Sequence, residues 1–249
     1  GMEMLDNFVT LCGIEREWTP GRYTEDIMEE IERTVGDERV LMAVSGGVDS
    51  AVAATLIGRV IGNHLFCVFV DTGLMRNEDL RFVRELFANH LEESHTYIVD
   101  ASHIFLERLK GVKDPEEKRK IIGHTFIDVF TEKAKEIEKE HGKIRFLGQG
   151  TIYPDRVESA SSQTKSARIK SHHNLMIPED IRFELIEPLR DLYKDEVRMI
   201  GMELGLPEHI LIRHPFPGPG LAVRCVGEIT GEKMNILRQV DDIVQEEIR

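Results

Sequence analysis

The sequence predicts an α/β protein: a doubly wound, mostly parallel sheet with helices on both faces. Three observations lead there. Apolar runs with strand character, at residues 39–44, 64–70, 96–99 and 144–147, alternate with stretches of helical periodicity. The run from His64 to Val70 is almost wholly apolar, which suits a strand buried on both faces. The first run passes straight into Ser45-Gly46-Gly47-Val48-Asp49-Ser50 and then into helix-forming residues, the strand, tight loop and helix of a βα unit.

The elements follow in order. Phe8, Val9, Leu11 and Ile14 predict a short helix, and Trp18-Thr19-Pro20-Gly21 reads as a linker turn. Thr24 is placed as the N-cap of a helix carrying Ile27, Met28, Ile31 and Val35 at helical spacing, ended by Gly36. The second strand ends in the loop Asp71-Thr72-Gly73-Leu74-Met75, and a helix follows over 79–90 with Leu80, Val83, Leu86 and Phe87 inward. After the third strand Ser102 caps a short helix, and a long helix spans 115–141. The fourth strand ends at Gly148-Gln149-Gly150. Parallel sheets of this class bind ligands at the carboxyl ends of their strands, so the loops at Ser45, Asp71 and Gly148 are expected on one edge.

From Thr151 to Asp180 the periodicity fails. Lys165, Arg168 and Lys170, followed by His172-His173, make this polar stretch locally basic. It reads either as a mobile cover over phosphates or as a solvated loop. A short strand at 184–186 comes next, then a helix over 192–204 capped by Asp191. Lys194 falls in its first turn, where a cation opposes the helix dipole. Either Asp195 and Glu196 offset that cost, or Lys194 grips an anion held by the helix end. The proline- and glycine-rich run 213–220 reads as a rigid strap, followed by a strand at 221–226 and an amphipathic helix from about residue 232.

The loop carries the chemistry. Two glycines free the backbone, and the helix behind them aims N–H groups and the positive end of its dipole at one spot, which favours an anion and above all a phosphate. No Gly-Lys-Ser/Thr follows, as a Walker A loop would require, and no G-x-G-x-x-G is present. Hydroxyls at Ser45 and Ser50 suit phosphate oxygens, and the carboxylate of Asp49 suits a bridging Mg²⁺. The alternative is that Ser45 and Asp49 only cap the helix.

Composition bounds the partners. An apolar share of 41%, a charged share of 31% and a net charge of −13 describe a soluble chain that lacks the general basic face of a nucleic-acid binder. Cys12, Cys67 and Cys225 are widely spaced, so a reduced, cytoplasmic setting is expected, and no apolar run approaches membrane-spanning length.

Ser45-Gly46-Gly47-Val48-Asp49-Ser50 after a strand resembles the signature of the N-type ATP pyrophosphatases, the PP-loop enzymes. Four more segments are similar to the GMP synthetases within that group. They are Asp114 to Gly123, Gly148 to Asp155, Lys170-Ser171-His172-His173-Asn174, and Arg213 to Gly220. The resemblance implies an adenine nucleotide alpha hydrolase-like fold, with ATP and Mg²⁺ as cofactors and XMP and ammonia as substrates. It divides the chain into a linker at 1–23 after a missing glutaminase, a synthetase domain at 24–212, and the beginning of an α+β dimerisation domain at 213–249. It further implies a glutaminase domain or subunit as ammonia source and a homodimer when complete.

By the same resemblance Ser45, Gly46, Gly47, Val48, Asp49 and Ser50 hold the ATP phosphates, Asp49 also holds Mg²⁺, and Val70 and Gly150 border the nucleotide. Lys194 is the partner of pyrophosphate, Asp155 and Glu158 coordinate metal or orient the cover, and Lys170, His172 and His173 close over the intermediate. Arg119 meets the XMP phosphate. Lys118 and Lys120 are read from helix geometry as solvated, because adjacent positions on a helix face different ways. Other PP-loop ligases, such as an NAD synthetase or a tRNA-thiolating enzyme, and a nucleotide-binding fragment without turnover are the alternatives.

Overall fold

The computed structural model describes residues 1–13, 18–161, 183–213 and 216–248. Its centre is a parallel five-stranded sheet in the order β3-β2-β1-β4-β5. The strands are β1 (Val40–Ala43), β2 (Leu65–Asp71), β3 (His95–Asp100), β4 (Phe146–Gly148) and β5 (Glu184–Ile186). Because all run the same way, the loops after β1, β2 and β4 share one edge, as the alternation of elements predicts. The order reverses direction at β1, which places a crevice between the loops that leave β1 and β4.

Both faces of the sheet are covered. Val40 and Met42 of β1 and Leu65, Cys67 and Phe69 of β2 point into one core. The intervening Leu41, Phe66, Val68 and Val70 point into the other. The alternation of side chains along a strand thus explains why β2 has to be apolar at nearly every position. The first core is filled by α2 (Pro20–Val35), α3 (Val48–Ile61), α4 (Asn77–His90) and α8 (Lys194–Glu203). The second is filled by α5 (Ser102–Arg108), α6 (Pro115–His141) and residues 221–234. The remaining helices are α1 (Met2–Leu11), α7 (Tyr153–Ser161), α9 (Glu208–Leu211) and α10 (Gly231–Ile248).

Several local expectations are corrected. Helix α2 starts at Pro20, not after Thr24: the Thr19 hydroxyl accepts the Arg22 N–H at 3.2 Å, and proline at the first helical position lacks a donor that would have no partner there anyway. Thr24 lies inside the helix and donates back to the Pro20 carbonyl. Ser102 is the first residue of α5 and donates to Asp100 instead of capping. Helix α8 begins at Lys194, where the Glu196 carboxylate accepts the Tyr193 N–H at 2.7 Å; Asp191 is engaged by Arg156 instead. Residues 220–224 form a short 3₁₀ helix, not a strand. There Gly220, at φ +64°, passes so close to Leu74 that a Cβ would lie 2.3 Å from its carbonyl oxygen, and the Leu221 N–H donates to that oxygen at 2.7 Å. A backbone already spent on that contact cannot run on as a sheet strand.

The loop after β2 is held from outside the sheet. Leu74 accepts from Leu221, and Met75 accepts from Arg238 at 3.0 Å. Arg76 forms an ion pair with Asp241 at 2.8 Å, with both side chains 3% exposed. Residues 221–248 therefore set the position of a loop at the carboxyl edge of the sheet.

Candidate active site

The turn after β1 is shaped by its two serines. The Ser45 N–H donates to the Ser50 hydroxyl at 3.2 Å, and that hydroxyl donates to the Gly47 carbonyl at 2.9 Å. The two hydroxyl oxygens lie 3.1 Å apart, and the Gly47 N–H leans on Ser45 Oγ at 3.3 Å. Gly46 sits at φ +79°, a left-handed conformation that glycine adopts without strain. Helix α3 then begins at Val48 with Gly47 as its cap, so no side chain covers the first N–H groups. Those groups have no acceptor inside the helix.

Gly150 closes the other side. A Cβ there would lie 2.9 Å from the Asp49 carbonyl carbon and 3.0 Å from the Ser50 nitrogen, contacts that no side chain tolerates. The bare backbone of the β4 loop thus presses against the start of α3. Asp49 stands at the mouth. Lys194, brought in by α8, donates to both of its carboxylate oxygens at 2.7 Å. Burial raises the Asp49 pKa above the ordinary carboxylate value; Lys194 pulls it back down, and the nearby Asp155 pushes it up again. A carboxylate desolvated in this way favours a cation beside it, and Lys194 supplies one.

The other expected residues divide. Asp155 accepts the Ile152 N–H at 3.1 Å at the start of α7, close enough for its charge to act on Asp49, and Glu158 lies one turn further along. Val70 is buried near the end of β2, with its side chain in the second core. Arg119 is exposed on α6, across the sheet from α3, and pairs with Glu116. Lys170, His172 and His173 lie outside the described residues, as does His214. Lys118 reverses the expectation: it is 1% exposed and donates to the Cys225 carbonyl at 2.7 Å, while Lys120 is exposed. Neighbours on a helix do face different ways, but the inward one here is a lysine. One contact was not legible beforehand: Arg213, at the head of the predicted strap, donates to the Gly46 carbonyl.

Among the described residues no group of three or more His, Cys, Asp or Glu could cage a metal. The donor set fits Mg²⁺ in another way, through one carboxylate, Asp49, with the other positions left to phosphate oxygens and water.

The fold is a parallel α/β sheet with a glycine loop after its first strand. Solved structures share the architecture. An ammonia-dependent NAD synthetase from Campylobacter jejuni superposes with a TM-score of 0.56 over 78% of this chain and 77% of its own, at 16% identity. An NMN synthetase from Francisella tularensis gives 0.57 over 90% and 94%, at 15% identity. At such identities the likeness speaks for the fold alone. No family model matches the sequence.

The particular likeness is one of sequence, to the GMP synthases. The chain is 51% identical to the glutamine-hydrolysing GMP synthase of Brachyspira hyodysenteriae over 251 residues, covering 100% of this chain and 48% of that protein. It is 52% identical to that of Carboxydothermus hydrogenoformans, again over 100% of this chain and 48% of the relative. The chain therefore spans about half the length of the curated relatives it matches.

Proposed function

We propose that this chain carries out the ATP-dependent amination of XMP to GMP. The observation that carries the reading is the uncapped α3 N-terminus, with Asp49 and Lys194 at its mouth, in a chain about half identical to GMP synthases along its whole length.

In this reaction the oxygen on C2 of the xanthine attacks the α-phosphorus of ATP. The bond to the β-phosphate breaks and pyrophosphate departs. Ammonia then adds to C2 and gives up one proton, and AMP leaves with the former xanthine oxygen. Both steps gather negative charge on phosphate oxygens, so what the protein supplies is position and electrostatics. The loop N–H groups and the hydroxyls of Ser45 and Ser50 hold the outer phosphates. Lys194, a partner of Asp49 in the unliganded protein, would turn to the departing diphosphate as a point charge. Mg²⁺ would be held by Asp49 together with the phosphates, and when bound it neutralises charge on the leaving group.

Gly150 and the end of β2 near Val70 border the nucleotide in this reading. Asp155 and Glu158 orient the segment that follows them, Arg119 receives the XMP phosphate, and Lys170, His172 and His173 contact the adenylylated intermediate. A glutaminase domain or subunit would supply ammonia, and the complete protein would act as a cytoplasmic dimer.

The test is pyrophosphate release with ATP, Mg²⁺ and ammonium against a panel of acceptors. Release is expected with XMP and not with deamido-NAD. XMP carrying heavy oxygen on C2 should yield labelled AMP; unlabelled AMP would refute activation at that oxygen.

A further inference from the structure

We propose that Arg213 is a positioning residue of the glycine loop, one that sets the direction of the Gly46 carbonyl and through it the aim of the Gly47 N–H. This rests on the reading of the loop as a phosphate cradle. One guanidinium nitrogen of Arg213 donates to the Gly46 oxygen and another to Asp79 Oδ1. Glu78 lies 3.8 Å away, and the guanidinium lies 4.0 Å over the Phe82 ring. The fork is anchored firmly, because Asp79 is itself buried and accepts the Arg76 N–H at 2.8 Å at the start of α4.

The peptide plane gives this contact its effect. In a trans peptide the carbonyl of one residue and the N–H of the next point in opposite directions and turn as one body. With the Gly46 oxygen drawn toward Arg213, the Gly47 N–H is turned away from it, toward Ser45 Oγ. Two adjacent glycines would otherwise let that plane rotate at little cost. The charge of Arg213 is balanced by Asp79, so its contribution to an anion in the loop is geometric more than Coulombic. That separates it from Lys194, which faces the mouth of the site.

The experiment is calorimetric titration of the wild-type, Arg213→Lys and Arg213→Met chains with ATP and Mg²⁺, following the amide resonances of Gly46 and Gly47 by NMR in the unliganded proteins. Both variants should bind ATP about tenfold more weakly or worse, since each loses a charge-assisted hydrogen bond to the loop. The Gly47 resonance should move in both. Lysine should not rescue, because an ammonium lacks the planar fork that spans two acceptors. Wild-type affinity in Arg213→Lys would overturn the proposal in favour of simple charge. Unmoved glycine resonances beside weakened binding would overturn it too. If Arg213→Met does not fold, Arg213→Lys decides on the same two readouts. Failure of the wild-type chain to bind ATP would instead bring down the cradle reading, and the positioning role with it.

Discussion

Asp49 and Gly150 show how single residues set this site. Among the described residues Lys194 is the cation that touches Asp49 directly, and both side chains remain partly solvated. Burial offsets what Lys194 contributes to Asp49, so Asp49→Ala should abolish Mg²⁺-dependent pyrophosphate release while changing stability by less than about 1 kcal/mol in either direction. Turnover beside a denaturation curve checks both halves of that statement. Gly150 acts by what it lacks. In Gly150→Ala the new methyl group meets the Asp49 and Ser50 backbone, so the loop or the helix start must shift. Displacements on the scale of 1 Å at reacting groups cost about a hundredfold in rate. A fall of that order in kcat/KM for ATP, with the far-UV spectrum unchanged, is the expected outcome.

Among the elements, β3 forms one edge of the sheet and holds a histidine, His95, whose titration is expected to link stability to pH. His95 stacks on Phe66 at 4.7 Å, and His141 at the end of α6 lies 4.7 Å from His95 and 3.2 Å from the Tyr97 hydroxyl. Glu140 is 3.8 Å from His141, and Lys133 lies over the Tyr97 ring. Burial and the neighbouring His141 lower the His95 pKa below 6.5, and burial together with Arg59 lowers that of His90. A histidine held neutral in the fold is protonated first in the unfolded chain. The stability it confers is therefore full above about pH 6.5 and is lost as the pH falls through that value toward the lowered one. Thermal unfolding should show a modest loss of melting temperature from about pH 7 to about pH 5, since both rings remain partly solvated. In His141→Gln the loss should shrink; an undiminished loss would exclude the histidine pair as its source.

At the scale of the whole molecule, the carboxyl edge of the sheet is assembled from distant parts of the chain. Asp241 of α10 sits between Arg76, which it pairs with in a fully buried contact, and Arg224. Asp241→Ala would leave the Arg76 cation buried without its carboxylate. Loss of one member of such a pair costs about 3–5 kcal/mol, measurable by urea denaturation. The loop after β2 should loosen as well, seen as faster amide exchange at residues 73–76.

The parallel sheet, its helical cover and the glycine loop after β1 were all legible in the residues. Each depends on local periodicity or on a contiguous motif: the alternating cores along β1 and β2, the full span of α6, the run Ser45 to Ser50. Lys194 in a first helical turn was legible too, as a cation in an unfavourable place that called for a reason. Its partner was not, because nothing local links residue 194 to residue 49. Lys118 inside the second core, Gly220 against Leu74 and Arg213 on Gly46 were hidden for the same cause.

What the amino-acid sequence determined alone is whatever a helix or strand must satisfy within its own few turns: which faces are apolar, where glycine frees the backbone, which motif follows the strand. Tertiary structure decided which buried charges find partners and which carbonyls are captured. Those contacts join residues more than a hundred positions apart, and their energy exists only once the intervening chain has packed.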